Sequence, residues 1–89
     1  MSNSTTPPLT GSNAIRAALA DMPRAPGVYR MIGADGRVLY IGTAKDLRAR
    51  VTSYATARDL TTRILRMIAH VHSVEHVVTQ SEAEALLVE

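Results

Sequence analysis

The stretch Gly27-Val28-Tyr29-Arg30-Met31-Ile32-Gly33-Ala34-Asp35-Gly36-Arg37-Val38-Leu39-Tyr40-Ile41-Gly42 decides the fold. Two runs rich in β-branched and aromatic residues, Val28 to Ile32 and Val38 to Ile41, flank Asp35-Gly36, the dipeptide of a type I′ hairpin turn. A two-residue loop sets Ile32 opposite Leu39, Met31 opposite Tyr40 and Tyr29 opposite Gly42. Opposed residues, and residues two apart, share a sheet face. Tyr29, Met31 and Tyr40 are therefore expected on one face, with Val28, Arg30, Ile32, Leu39 and Ile41 on the other. Gly42 is expected to leave open space beside the Tyr29 ring. One extra loop residue would slip the register and undo this pairing.

The chain has 89 residues, enough for one small domain. Aromatic residues are only three tyrosines, so the core falls to Ala, Leu, Ile, Val and Met. Cysteine is absent, which excludes disulfides and thiolate metal sites. No apolar run approaches a membrane span and no signal peptide is visible; the expectation is a cytoplasmic chain with no membrane partner. Charge is uneven. Arg24 to Arg66 holds nine Lys/Arg against three Asp/Glu, whereas Glu75 to Glu89 holds four Glu and no Lys/Arg. A basic middle suits a polyanion, and equally an ordinary solvated surface.

Residues 1–11 are rich in Ser, Thr and Pro and read as a disordered tail, leaving 12–89 as the folded domain. Ser12 is expected to cap a helix through about Met22, ended by Pro23 and Pro26. Thr43-Ala44-Lys45-Asp46 has the form of a capping box, with the following helix burying Leu47, Val51 and Tyr54. Arg50 flanks that face and Arg48 points elsewhere. A further helix is expected over Arg58 to Val71, a third strand over Val74 to Thr79, and a last helix opened by the capping box Ser81-Glu82-Ala83-Glu84. That helix reaches Glu89 with no C-cap, the pattern of a piece of a longer protein.

A tyrosine can take a proton from water once its phenol is ionised, and about one in a thousand is at pH 7. Nearby cations lower that pKa, and Arg30, Lys45, Arg48 and Arg50 are the candidates. The alternative for Tyr29 and Tyr40 is an ordinary strand residue with a satisfied hydroxyl. Arg50 suits bidentate contact with a phosphate or simple exposure. Thr43 suits an N-cap, an anion contact or both. Glu82 and Glu84 are explained by capping; Glu89 lies too far along for that, and suits one-oxygen contact with Mg²⁺ or plain solvation. His70 and His72 cannot share a helix face, which argues against a zinc site with His76.

Gly27-Val28-Tyr29, Tyr40-Ile41-Gly42, the run Thr43 to Arg50, Ser53-Tyr54 and Glu84-Ala85-Leu86-Leu87-Val88-Glu89 together resemble the GIY-YIG nuclease family. More narrowly, with Pro26 and the lead-in Thr79 to Glu84, they resemble the N-terminal domain of UvrC-type excinucleases. The resemblance spans about residues 15–89. It implies an α/β (α+β) fold: a small three-stranded antiparallel sheet flanked by helices. It implies a divalent-metal-dependent endonuclease, using one Mg²⁺ or Mn²⁺ ion, that cuts damaged double-stranded DNA 3′ of a lesion in nucleotide excision repair. The implied partner of the full-length protein is a UvrB–DNA complex, with UvrA upstream. Tyr40 and Tyr29 are the implied water-activating residues, with no choice between them. Arg50 is the implied phosphate-charge stabiliser, Glu89 the metal ligand and Gly42 part of the catalytic triplet. Lys45, Arg48, Arg50 and Tyr54 are the implied DNA contacts. Thr43 stands where most UvrC sequences carry lysine, so a cation near Tyr40 is missing there, and Lys45 is the expected partial replacement.

Two other functions stay open on the sequence: a non-catalytic DNA-binding or docking module of the same fold, and a GIY-YIG nuclease outside repair.

Overall fold

In the computed structural model, which describes residues 10–88, the hairpin closes differently from a two-residue turn. Gly36 N–H donates to Gly33 O at 3.0 Å, Gly33 N–H donates to Arg37 O at 2.9 Å, and Asp35 Oδ1 accepts from Arg37 N–H at 3.1 Å. Gly36 alone in the loop has positive φ, 81°. A type I′ turn needs positive φ at Asp35 as well, and Asp35 does not adopt it. The loop is thus one residue longer than expected, Ala34-Asp35-Gly36.

The register nevertheless arrives as read. Ile32 pairs with Val38, but Met31 pairs with Tyr40 and Tyr29 with Gly42. Leu39 is the extra residue of a β-bulge, and it returns the slip introduced by the loop. The bulge corrects one assignment: Leu39 lines a hollow with Tyr40 rather than following the opposite face.

β1 (Gly27–Gly33) is the central strand, antiparallel to both β2 (Val38–Ala44) and β3 (Val71–Val78), in the order β2-β1-β3. One face is covered by α1 (Ser12–Ala18), α2 (Leu47–Thr56) and α3 (Thr62–Ala69). There Ile15, Tyr29, Met31, Leu47, Val51 and Val71 are fully buried. Each such aliphatic side chain contributes roughly 1.5–3 kcal/mol. α4 (Glu82–Val88) packs on β1 and β2, with Ala85 fully buried.

Several boundaries move. Residues 1–9 of the expected tail lie outside the described residues. Gly11, assigned to that tail, already donates its N–H to Val71 O at 2.9 Å, and Gly11 rather than Ser12 is the N-cap of α1. α1 tightens into a 3₁₀ turn over Leu19–Asp21. Thr43 does not open α2: β2 runs on to Ala44, and Asp46 caps the helix by accepting from Ala49 N–H at 3.1 Å. Leu47 and Arg48 donate their N–H groups to Ala25 O and Pro23 O, so the start of α2 is sealed by backbone and offers no anion site. Thr61 caps α3 at Ile64 N–H, which starts that helix later, and Val71 belongs to β3. Ser81 and Glu84 form the expected capping pair: Glu84 N–H donates to Ser81 Oγ, and Gln80 N–H to Glu84 Oε1, each at 3.1 Å.

Gly27 sits where β3 and α2 crowd β1. A Cβ there would overlap Val77 O and meet Leu47 Cδ1 at 2.8 Å. Gly27→Ala is expected to destabilise by about 1–3 kcal/mol through overpacking. Urea unfolding should show a lower midpoint with an unchanged slope.

Candidate active site

Gly42 is the hole into which Tyr29 fits. A Cβ at Gly42 would overlap Cζ and Oη of Tyr29 and lie 2.9 Å from Cε1. The space left beside the ring is therefore filled by the ring itself, which lies across the β2 backbone. This lets a phenol be fully buried in a thin core and still carry its hydroxyl to α2. Tyr54, three residues after Val51 on the inner side of α2, meets it there: the two hydroxyls are 2.8 Å apart.

The three tyrosines form one cluster. Ring centroids are 6.1 Å apart for Tyr29 and Tyr40, 5.9 Å for Tyr29 and Tyr54, and 6.2 Å for Tyr40 and Tyr54. These are tilted and edge-on geometries, worth about 0.5–1.5 kcal/mol per pair beyond area burial. Tyr40 is the outermost member, 36% exposed.

Burial pushes the Tyr29 phenol above its ordinary pKa of 10, despite the hydrogen bond with Tyr54 and the nearby Arg50 guanidinium, both of which pull it down. Burial also drives Tyr54 far up, helped by the hydrogen bond to Tyr29. Desolvation penalises the phenolate more than the cation rewards it. The expectation that neighbouring cations depress these phenols is overturned for Tyr29. Arg30 is not among those neighbours: it is on the opposite sheet face, paired with Glu75 at 2.6 Å.

Arg50 connects this cluster to an open cleft of about 530 Å³, which it lines with Lys45, Asp46, Ser53 and Glu82. The structure thus brings together Tyr29, Tyr40, Tyr54, Arg50 and Gly42, and sets Lys45 beside Arg50. It does not bring Thr43 to the phenols. Thr43 pairs with Val28, one residue out of phase with Tyr40 and Gly42, and so belongs to the face that α4 covers. Arg48 is exposed and outside the cleft lining. Tyr54, read as a DNA contact, is half-buried with its hydroxyl on Tyr29. Glu89 lies outside the described residues.

Sequence reasoning missed Glu82 as a cleft residue, having assigned it wholly to capping. Its signal was the spacing to Ala85, three residues on, which turns both toward the sheet.

The model of the UvrC-like GIY-YIG domain matches residues 25–89. The chain belongs to the GIY-YIG family, in its UvrC branch. UvrABC system protein C of Chelativorans sp. (strain BNC1) is 50% identical over 80 residues, covering 90% of this chain and 12% of that protein. UvrABC system protein C of Rhodospirillum rubrum is 53% identical over 79 residues, covering 89% of this chain and 12% of that protein. The chain therefore spans about an eighth of the length of these relatives. The magnesium-bound GIY-YIG N-terminal endonuclease domain of UvrC from Thermotoga maritima superposes with a TM-score of 0.72 and 33% identity, over 84% of this chain and 81% of that one. Three related structures of that domain each carry one tyrosine-to-phenylalanine substitution. The GIY-YIG fold accounts for the three-stranded sheet and its helices, as the resemblance implied.

Both raised phenols link folding to pH. The unfolded chain releases these protons near pH 10, the folded chain only at higher pH. Their contribution is whole below about pH 10 and falls as pH rises through the folded values. Tyr54→Phe is expected to cost about 1 kcal/mol at neutral pH. It should also flatten the alkaline loss of stability relative to the parent, measured by thermal melts from about pH 8 to 11 with tyrosinate absorbance followed in parallel.

Proposed function

We propose that this domain hydrolyses a phosphodiester of damaged double-stranded DNA on the 3′ side of a lesion. It would act within a longer protein of the UvrABC system that engages a UvrB–DNA complex. The observation that carries this is the division among the three phenols: Tyr29 is buried, Tyr54 is half-buried with its hydroxyl on Tyr29, and Tyr40 is the most exposed, packed by the Tyr29 ring that Arg50 approaches.

Tyr29 and Tyr54 stay protonated, so they position rather than take protons. Tyr40 is the member of the cluster whose hydroxyl reaches attacking water. A phenol accepts a proton only as phenolate, so base function requires that Tyr40 first lose its own. Arg50 offers a fork of donors to the phosphate oxygens that gain charge as water attacks phosphorus and the ester oxygen departs. Lys45, in the same cleft, supplies a second cation.

The donor chemistry fits a hard divalent ion. Glu82 lines the cleft, and Glu89 follows it by seven residues in a chain without thiolates. Glu89 would hold the ion. When bound, Mg²⁺ or Mn²⁺ supplies Lewis-acid stabilisation of the leaving oxygen.

The test is strand nicking on a duplex bearing one bulky adduct, in the complete repair complex with Mg²⁺. Arg50→Ala is expected to lower the single-turnover rate by about 10²–10³. Tyr40→Phe and Glu89→Ala should fall comparably, and chelation should abolish nicking. Equal nicking by parent and variants would sink the site. Absence of nicking by the parent there favours the module without catalysis.

A further inference from the structure

We propose that the hollow between β2 and α3 seats the cut strand next to the scissile phosphate, with Arg63 holding an adjacent phosphate. This rests on the nuclease reading above and names a substrate subsite for it. The hollow, about 620 Å³, is lined by Leu39, Tyr40, Thr61, Arg63, Ile64 and Met67. It shares Tyr40 with the phenol cluster, so whatever fills it touches the same ring that faces attacking water.

Two features fit a deoxyribose-phosphate rather than a protein side chain. The floor is apolar, from Leu39, Ile64 and Met67, with a tyrosine edge, which suits a sugar or base face. The rim carries a guanidinium and the Thr61 hydroxyl, which suit phosphate oxygens. Thr61 Oγ1 accepts from Ile64 N–H, leaving its own proton to donate.

Charge across the molecule points the same way. Among the described residues, ion pairs hold Arg24 to Asp46, Arg30 to Glu75 and Arg37 to Asp35. Lys45, Arg50, Arg58, Arg63 and Arg66, on α2, α3 and the connections beside them, have no such partner among the described residues. Arg16 and Arg48 likewise have no ion pair among the described residues. A strand crossing Tyr40 would run from the Arg50 cleft, which Asp46 and Glu82 also line, to the Arg63 hollow, whose lining carries no carboxylate.

Leu39 is the bulge residue. Its displacement from strict alternation is what gives the hollow its inner wall beside Tyr40, so the same irregularity that restores the register also builds the subsite.

The experiment measures binding of the full chain to an adduct-bearing duplex over a series of salt concentrations, with single-turnover nicking in the repair complex. Arg63→Ala should weaken binding several-fold and reduce the salt slope by about one. Nicking at subsaturating DNA should fall by a similar factor. Arg63→Lys should keep the slope, and Arg30→Ala, on the far face, should change neither reading. Thermal melting checks that each variant folds. An unchanged slope for Arg63→Ala, or no salt-dependent binding by the parent, overturns the subsite. Loss of nicking in the parent with an intact Arg63-dependent slope overturns the catalytic reading and leaves the subsite standing.

Discussion

The burial of one phenol across a glycine holds this site together. Tyr29 is fully buried, and it reaches that position because Gly42, directly opposite on β2, has no side chain. The ring lies over the backbone, its hydroxyl meets Tyr54, and α2 is thereby fixed against the hairpin at the height of Arg50. A chain with no Phe or Trp has few ways to fill such a gap. The tyrosine therefore does two jobs, closing the core and setting the distance between strand and helix. The cost is electrostatic: desolvation disfavours the Tyr29 phenolate and raises its pKa, while Tyr40 stays nearer solvent.

Much of this was legible in the residues. The pairing of Tyr29 with Gly42 and of Met31 with Tyr40, and the common face of the phenols, match the reading from the hairpin and the period of two, although the loop is a residue longer than read and an unforeseen bulge restores the register. The inner face of α2 followed from the spacing of Leu47, Val51 and Tyr54, and the last capping box from Ser81 and Glu84. These features are set by local rules, where alternation, helical spacing and cap chemistry act over a few residues.

What was not legible depended on long-range partners. Nothing near Thr43 says that β2 continues past it, because the reason lies in Val28 and Gly27 on the neighbouring strand. The sealing of α2 by Ala25 and Pro23 carbonyls is a tertiary contact across twenty or more residues. Val71 reads as helix by pattern, yet Thr61 starts α3 late and the strand claims it. The balance that raises the Tyr29 pKa is likewise a property of depth, and charges counted along the sequence pointed the other way.

The bulge at Leu39 has a consequence for how such a hairpin can vary. Loop and active face are mechanically decoupled: an odd residue gained at the turn is given back one step later, before the strand reaches Tyr40. A turn length that would otherwise rotate Tyr40 and Gly42 to the other sheet face leaves them in place. The far end of the hairpin can thus take up an odd residue, while the end where the Tyr29 ring fills the space at Gly42 has no such slack.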